Sequence, residues 1–238
     1  MKEFSAVFPK RIKIVETTPE YITNAEIFSY RKCYVAISLG NLFFETYKLD
    51  MLMHWVAKRF ESCIILVADS LYRYNIKMQE CEDDIKALQL SKIKAGKLIS
   101  SISKKLKEFP EGKFQLKIWD DYRLREDFEA HYKVIQYTYE NNALFRTSVL
   151  EDANTYISRI INRGDRICVD EQTARELSIS FIQEECAVFS MVTADGFLVD
   201  ISPDTYLSVL KDIASGKIKD APETLRKKTI VKIKSVAK

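Results

Sequence analysis

The strongest constraint on this chain is a pair of short runs with no polar break, CYVAI over Cys33 to Ile37 and CIILVA over Cys63 to Ala68. A strand with one wet face alternates polar and apolar residues. An unbroken apolar run is buried on both faces, as central parallel strands are. A third segment, FQLKIW from Phe114 to Trp119, also reads as a strand. Helical patterns lie between and after them, over Phe43 to Glu61, Glu82 to Phe109 and Arg123 to Asn141. Strand, helix, strand, helix, strand, helix requires right-handed crossovers and predicts a doubly wound, mostly parallel, Rossmann-like α/β sheet. Further helices are expected over Ser148 to Asn162 and Asp170 to Glu185, with a late strand from Gly196 to Ile201. In a chain of 238 residues, five prolines and six glycines advertise few linkers, so one domain is expected over 1–238. The last stretch, from about 226 to 238, reads as a loosely ordered basic tail.

Several function classes lose their usual signal. The net charge of +3 is too small to point to a partner by itself. The five cysteines, Cys33, Cys63, Cys81, Cys168 and Cys186, form no CxxC pair and read as free thiols of a reducing compartment. With two histidines, no HExxH and no Cys/His cluster, neither a metal site nor a cofactor is expected. The opening MKEFSAVFPKRIKIVE lacks the apolar core of a signal peptide, and no run reaches the ~18 apolar residues of a membrane span. A soluble cytoplasmic protein with no membrane partner is the expectation. GxSxG, GxGxxG and the Walker loop are all absent.

Ligands of doubly wound sheets bind beyond the carboxyl ends of the strands. Three polar residues converge there: Ser38 after the first run, Asp69 after the second and Asp120 after the third. The turn Ser38-Leu39-Gly40-Asn41 has two readings. Ser38 or Asn41 caps the following helix while Gly40 relieves the backbone, or Ser38 is a nucleophile beside helix amides. On the long helix, Lys86, Lys97 and Lys104 fall opposite the apolar face, with Lys94 and Lys105 beside them. These five lysines span roughly 100° of arc with no acid among them, which suits a phosphate backbone. Glu184 and Glu185 sit together in SFIQEECAVF, and an inward-facing acid there would have a raised pKa and could move protons.

In combination these motifs resemble the tRNA-dependent cyclodipeptide synthases, from about Tyr34 to Pro203. The resemblance is carried in order by Ser38-x-Gly40-Asn41 with an aromatic at Phe43 or Phe44, by Asp69 with Tyr74-Asn75-Ile76, and by the basic helix KIKAGKLISSI. Trp119-Asp120-Asp121, Phe145-Arg146 and finally Phe181-x-x-x-Glu185 complete it. It implies a fold like the catalytic domain of class I tyrosyl and tryptophanyl tRNA synthetases, with no ATP-handling signature. It implies two aminoacyl-tRNAs as substrates and a 2,5-diketopiperazine as product. The family's nucleophile falls on Ser38, its asparagine on Asn41 and its glutamate on Glu185. The tRNA contact falls on the ridge from Lys92 to Lys105, which adds Lys92 to the lysines above. By position, Tyr34, Ala36, Gly40, Val67, Asp69 and Val188 would bind the first aminoacyl group. That lining is mostly apolar and favours an apolar residue.

The chain departs from the family at two tyrosines. Phe181 stands where one is usual, and the second falls on Ser202 or Tyr206. A non-catalytic binder of charged tRNA, an aminoacyl transferase to another acceptor, and a Rossmann-type small-molecule enzyme are the alternative readings.

Overall fold

The computed structural model describes residues 11–80, 82–203 and 206–236. In chain order its elements are β1 (Arg11–Thr18), α1 (Asn24–Ser29), β2 (Lys32–Ile37), α2 (Tyr47–Ala57), β3 (Ser62–Val67), α3 (Arg73–Glu80), α4 (Asp84–Leu106) and β4 (Phe114–Ile118). There follow α5 (Asp120–Arg123), α6 (Phe128–Asn141), α7 (Ala143–Asn162), α8 (Glu171–Ala194), β5 (Val199–Ser202), α9 (Ser208–Ala214), α10 (Glu223–Arg226) and β6 (Thr229–Val236).

The two apolar runs are neighbours. β2 and β3 pair in parallel from Lys32 against Ser62 to Ile37 against Val67. The sheet order is β1-β6-β5-β2-β3-β4, parallel throughout except for β1 against β6. The chain builds outward from β2 in both directions, so the β2–β5 junction is a topological switch point, where such sheets keep their ligands.

Alternation along the strands divides the core. Tyr34, Ile64 and Leu66 point to a layer built from α6, α7, α8 and α9. Cys33, Val35, Ile37, Ile65 and Val67 point to the opposite layer, which contains α2 and α4. The predicted doubly wound α/β class is what forms.

Four expectations are corrected. The helix after β2 begins at Tyr47, because Asn41 and Thr46 turn the chain first. The helix expected over Arg123 to Asn141 is broken into α5 and α6 around Leu124 to Asp127. α8 does not stop at Glu185 but runs on to Ala194. It ends where Gly196, at φ +88°, lets the chain reverse and Phe197 N bonds Val192 O at 3.2 Å. The loose basic tail is instead β6. Ile230, Val231 and Ile233 are buried there, and the alternating lysines mask a strand that bridges β5 and β1.

The cysteine reading is corrected too. Cys33, Cys63 and Cys186 are free and buried, while Cys168 is disulfide-bonded. Among the described residues no helix is long and apolar enough to cross a membrane, and no group of side chains could hold a metal ion.

Candidate active site

Ser38 follows β2 directly at the switch point. By the two-residue period of a strand, it shares a face with Ala36 and Tyr34. It is exposed and makes no hydrogen bond among the described residues. The capping is done elsewhere. Asn41 Oδ1 accepts from Phe43 N at 2.9 Å, Thr46 caps α2, and Gly40 takes φ +77°. The turn therefore leaves the Ser38 hydroxyl unclaimed. Ala36, one step below it in the middle of the sheet, is only half-buried, so space remains above its methyl group.

The facing helix is α8, and its two adjacent acids differ. Glu184 is 3% exposed and fully engaged: Arg73 Nη1 donates at 3.0 Å, Tyr74 Oη at 2.9 Å and Trp119 Nε1 at 3.0 Å. It is a strut joining α3, the end of β4 and α8. Glu185 has no hydrogen-bond partner among the described residues. It keeps some accessible surface, yet protein surrounds it so closely that burial pushes its carboxyl up to about 8. Lys228 opposes that shift, and Asp200 and Asp152 add to it. An enclosed, unpaired carboxyl that water still reaches lines a recess.

Near Glu185 lies a polar cluster of which sequence reasoning named Tyr34 and Tyr206 but missed Asp200 and Lys228. Tyr34 is the register partner of Asp200 across β2 and β5. Lys228, its side chain wholly buried, bonds Asp200 Oδ2 at 2.7 Å. Tyr206 donates to Asp200 and accepts from Lys228. The Lys228 ammonium lies 3.9 Å from the Phe189 ring centroid and 5.2 Å from that of Tyr34. Burial holds the Lys228 ammonium pKa below its usual value and pushes the Tyr34 and Tyr206 hydroxyls well above theirs. The Tyr34 hydroxyl, sealed beside Asp200 and Tyr206, makes no well-formed hydrogen bond. A signal was present: Asp200 is the one acid inside the apolar run FLVDI.

Of the two candidates for the missing tyrosine, Tyr206 sends its hydroxyl into this cluster, while Ser202 ends β5 half-buried. Phe181 is half-buried one helical turn before Glu185. It stacks on Tyr156 at 6.1 Å and meets Tyr74 edge-on at 6.3 Å.

The other named residues divide. Val188 is buried in the layer of Tyr34 and Ala36. Val67 belongs to the opposite layer and cannot share their pocket, because its register partner is Ile37, which points away from Ser38.

Asp69 is 2% exposed and accepts from Trp119 N at 2.8 Å, while its carbonyl accepts from Ser91. It clasps β3, β4 and α4 together. Asp120, also buried, is held at about 2 against the effect of burial by Lys92 at 2.6 Å and by Arg123 at 3.0 Å. Asp152, another missed acid, accepts from Ser208 N and Val209 N, both at 2.9 Å, and so anchors the start of α9.

The basic ridge is less one-sided than its sequence. Lys86 pairs with Glu82, Lys92 with Asp120, Lys94 with Glu80 and Lys105 with Asp50. The partners come from other elements or the preceding turn, which a helical wheel does not include. Lys97 and Lys104 have no acidic partner among the described residues.

No protein-family model and no curated protein matches this chain. Solved structures do. One is a cyclodipeptide synthase (CDPS) from Fluoribacter dumoffii, with a TM-score of 0.77, 17% identity, and coverage of 95% of this chain and 99% of that one. The chain has the fold of the solved cyclodipeptide synthases. A Mycobacterium tuberculosis cyclodipeptide synthetase, described as related to type I tRNA synthetases, matches 99% of this chain and all of its own, with a TM-score of 0.72 and 10% identity. A third cyclodipeptide synthase, from Candidatus Glomeribacter gigasporarum, was solved bound to Phe-tRNAPhe. It matches 87% of this chain and 88% of its own, with a TM-score of 0.64 and 14% identity. The match that covers 99% of this chain takes in β1 and β6, beyond the segment in which motifs were readable.

Proposed function

We propose that this protein is a cyclodipeptide synthase, which joins the aminoacyl groups of two charged tRNAs into a 2,5-diketopiperazine in the cytoplasm. One observation carries the reading: an exposed, unbonded serine hydroxyl at the switch point follows the strand that packs against the helix carrying an enclosed, unpaired carboxyl, on the fold of such enzymes.

Ser38 attacks the ester carbon of the first aminoacyl-tRNA, and the tRNA leaves through its ribose hydroxyl with the proton. The ester is already activated, so no ATP is consumed. The α-ammonium group of the bound residue lies against Glu185. The cation favours the carboxylate form and draws the Glu185 pKa back down from about 8. The amine of a second aminoacyl-tRNA then attacks the Ser38 ester, which gives a dipeptidyl-tRNA ester and frees Ser38. The amine of the first residue closes on that ester, expelling the second tRNA and releasing the ring. Glu185 is the group placed to take the proton from each attacking amine. Tyr206, rather than Ser202, stands for the second family tyrosine. Phe181 keeps the aromatic wall but offers no hydroxyl.

The test is expression in bacteria with mass spectrometry of the medium, and intact-mass analysis of the purified protein mixed with aminoacyl-tRNA. A cyclic dipeptide and an aminoacyl adduct, both lost in Ser38→Ala, are the expected results. An adduct without a ring makes the protein a transferase to another acceptor. Neither product makes it a binder of charged tRNA.

A further inference from the structure

Among the described residues Lys228 is the only buried lysine, at 1% exposed, and the chemistry above gives it no task. Its backbone is fixed on both sides. Lys228 N bonds Leu225 O at 3.2 Å, closing α10, and the next residue, Thr229, bonds Leu198 O at 2.8 Å where β6 meets β5. Its ammonium bonds Asp200 at 2.7 Å and donates to Tyr206. The rings of Phe189, Tyr206 and Tyr34 surround it, with centroids at 3.9, 4.9 and 5.2 Å. A carboxylate and three aromatic faces are what a desolvated ammonium needs to keep its charge.

The ion pair is oriented. Phe189 follows Glu185 by four residues on α8, so the two share a face, one turn apart. The ammonium lies over Phe189, whereas Asp200 sits on β5 opposite Tyr34. The positive end of the pair is therefore turned toward Glu185. In keeping with this, Lys228 acts on Glu185 more strongly than Asp200 does and in the opposite direction, while Asp152 on α7 adds to Asp200. The other charged or titratable groups packed around α8 are engaged elsewhere. α3 gives Arg73 and Tyr74 to Glu184, α6 gives His131 to Ser190, and Arg125, between α5 and α6, pairs with Asp195. Burial keeps Tyr34, Tyr156, Tyr206 and Cys186 neutral. Lys228 is thus the one cation that acts on Glu185 among the described residues.

We propose that Lys228 is a positioning residue for Glu185: the oriented Lys228–Asp200 pair turns a fixed positive charge toward the recess and keeps the Glu185 carboxylate available to the aminoacyl ammonium group. An enclosed carboxyl with no cation near it would wait in its protonated form and meet the ammonium as a neutral group. The bearing on the reaction rests on the reading that Glu185 receives the aminoacyl group's ammonium. The charge of Glu185 in the free protein does not depend on that reading.

The test reads the Glu185 carboxyl directly, by carbon NMR of the full chain labelled in its glutamate side chains, with the Glu185 resonance assigned by its loss in Glu185→Gln. Wild type should titrate at about 8. Lys228→Met should raise that midpoint by about one pH unit, the scale of one nearby opposite charge. Asp200→Asn should lower it. Both substitutions break the same buried pair, so a purely structural role would move the two midpoints in the same direction or not at all. Lys228→Met with Asp200→Leu isolates neither charge and keeps the measurement available where Lys228→Met alone does not fold. Its midpoint should still lie above that of wild type. With aminoacyl-tRNA, this double variant should raise KM several-fold at neutral pH and by less as the pH rises, because the carboxylate returns.

A Glu185 midpoint that stays at the wild-type value in the double variant overturns the proposal. So does one that rises in Asp200→Asn. Midpoints that move as expected while KM and its pH dependence stay at wild type overturn the part given to Lys228 in the reaction. If no Ser38 adduct forms under any condition yet the midpoints move as expected, the synthase reading falls and the charge arrangement around Glu185 stands.

Discussion

Glu184 and Glu185 are consecutive residues of α8 whose carboxylates meet opposite surroundings. Glu184 is held by Arg73, Tyr74 and Trp119, whereas Glu185 is enclosed with no partner. Consecutive helical residues point about 100° apart, which separates the strut from the recess. The two acids should therefore answer substitution in opposite ways. Glu184→Ala strands the half-buried Arg73 guanidinium and should cost about 3 kcal/mol in urea unfolding. Glu185→Gln removes an acid that the fold penalises when charged. Its folded pKa, about 8, lies above the ordinary 4.5, so the native state holds more protons than the unfolded state between those values. Stability from this group is complete below about pH 4.5, falls as pH rises, and levels off above about pH 8. Glu185→Gln should flatten that decline and should unfold later than wild type at pH 8. A steeper decline in the variant would contradict the enclosed carboxyl.

The Lys228–Asp200 pair is fully buried, so its members are interdependent. Lys228→Met leaves Asp200 charged and without its cation and should cost about 3–5 kcal/mol, whereas Lys228→Met with Asp200→Leu should recover most of the loss. Denaturant unfolding of the four-member cycle measures the coupling. Losses that simply add would mean the pair is not the unit the geometry describes.

The central strands were legible because burial on both faces leaves an unbroken apolar run, and that signal survives without context. β1 and β6 were not, because RIKIVETT and TIVKIKSV interleave lysine, arginine and glutamate with the buried residues and resemble solvated sequence. Ser38 and Glu185 were singled out by motif order, and the structure leaves the first unbonded and the second enclosed without a partner among the described residues. Lys228 was not, since a lysine beside two other basic residues advertises exposure. Only the approach of β5 to β2 and of Tyr206 to both explains its burial. The acids that pair with the α4 lysines come from Glu80, Asp50 and Asp120, distant on the helical wheel and adjacent in space.

The recess itself is tested at Ala36, which shares a face with Ser38 and is half-buried in the middle of the sheet. Ala36→Leu places a side chain in the space that the proposed function gives to the first aminoacyl group. The expected outcome is loss of the Ser38 adduct by intact mass, with an unchanged circular dichroism spectrum. An adduct that persists at the wild-type level would place the aminoacyl group elsewhere.

The pairing pattern on α4 assigns different roles to its lysines. Lys92 and Lys94 spend their charge on Asp120 and Glu80, whereas Lys97 and Lys104 have none among the described residues to spend it on. A lysine already neutralised within the fold releases fewer counterions when phosphate arrives. Lys97→Ala with Lys104→Ala should therefore lower the slope of log K against log salt for tRNA by about 1.4 to 1.8, at roughly 0.7 to 0.9 per lost phosphate contact. Lys94→Ala should lower it by less than half as much, because Glu80 is freed to repel the backbone and weakens binding at every salt concentration instead. Filter binding of aminoacyl-tRNA from low to moderate salt separates the two patterns. Equal slopes for all three proteins would remove this face of α4 from the contact.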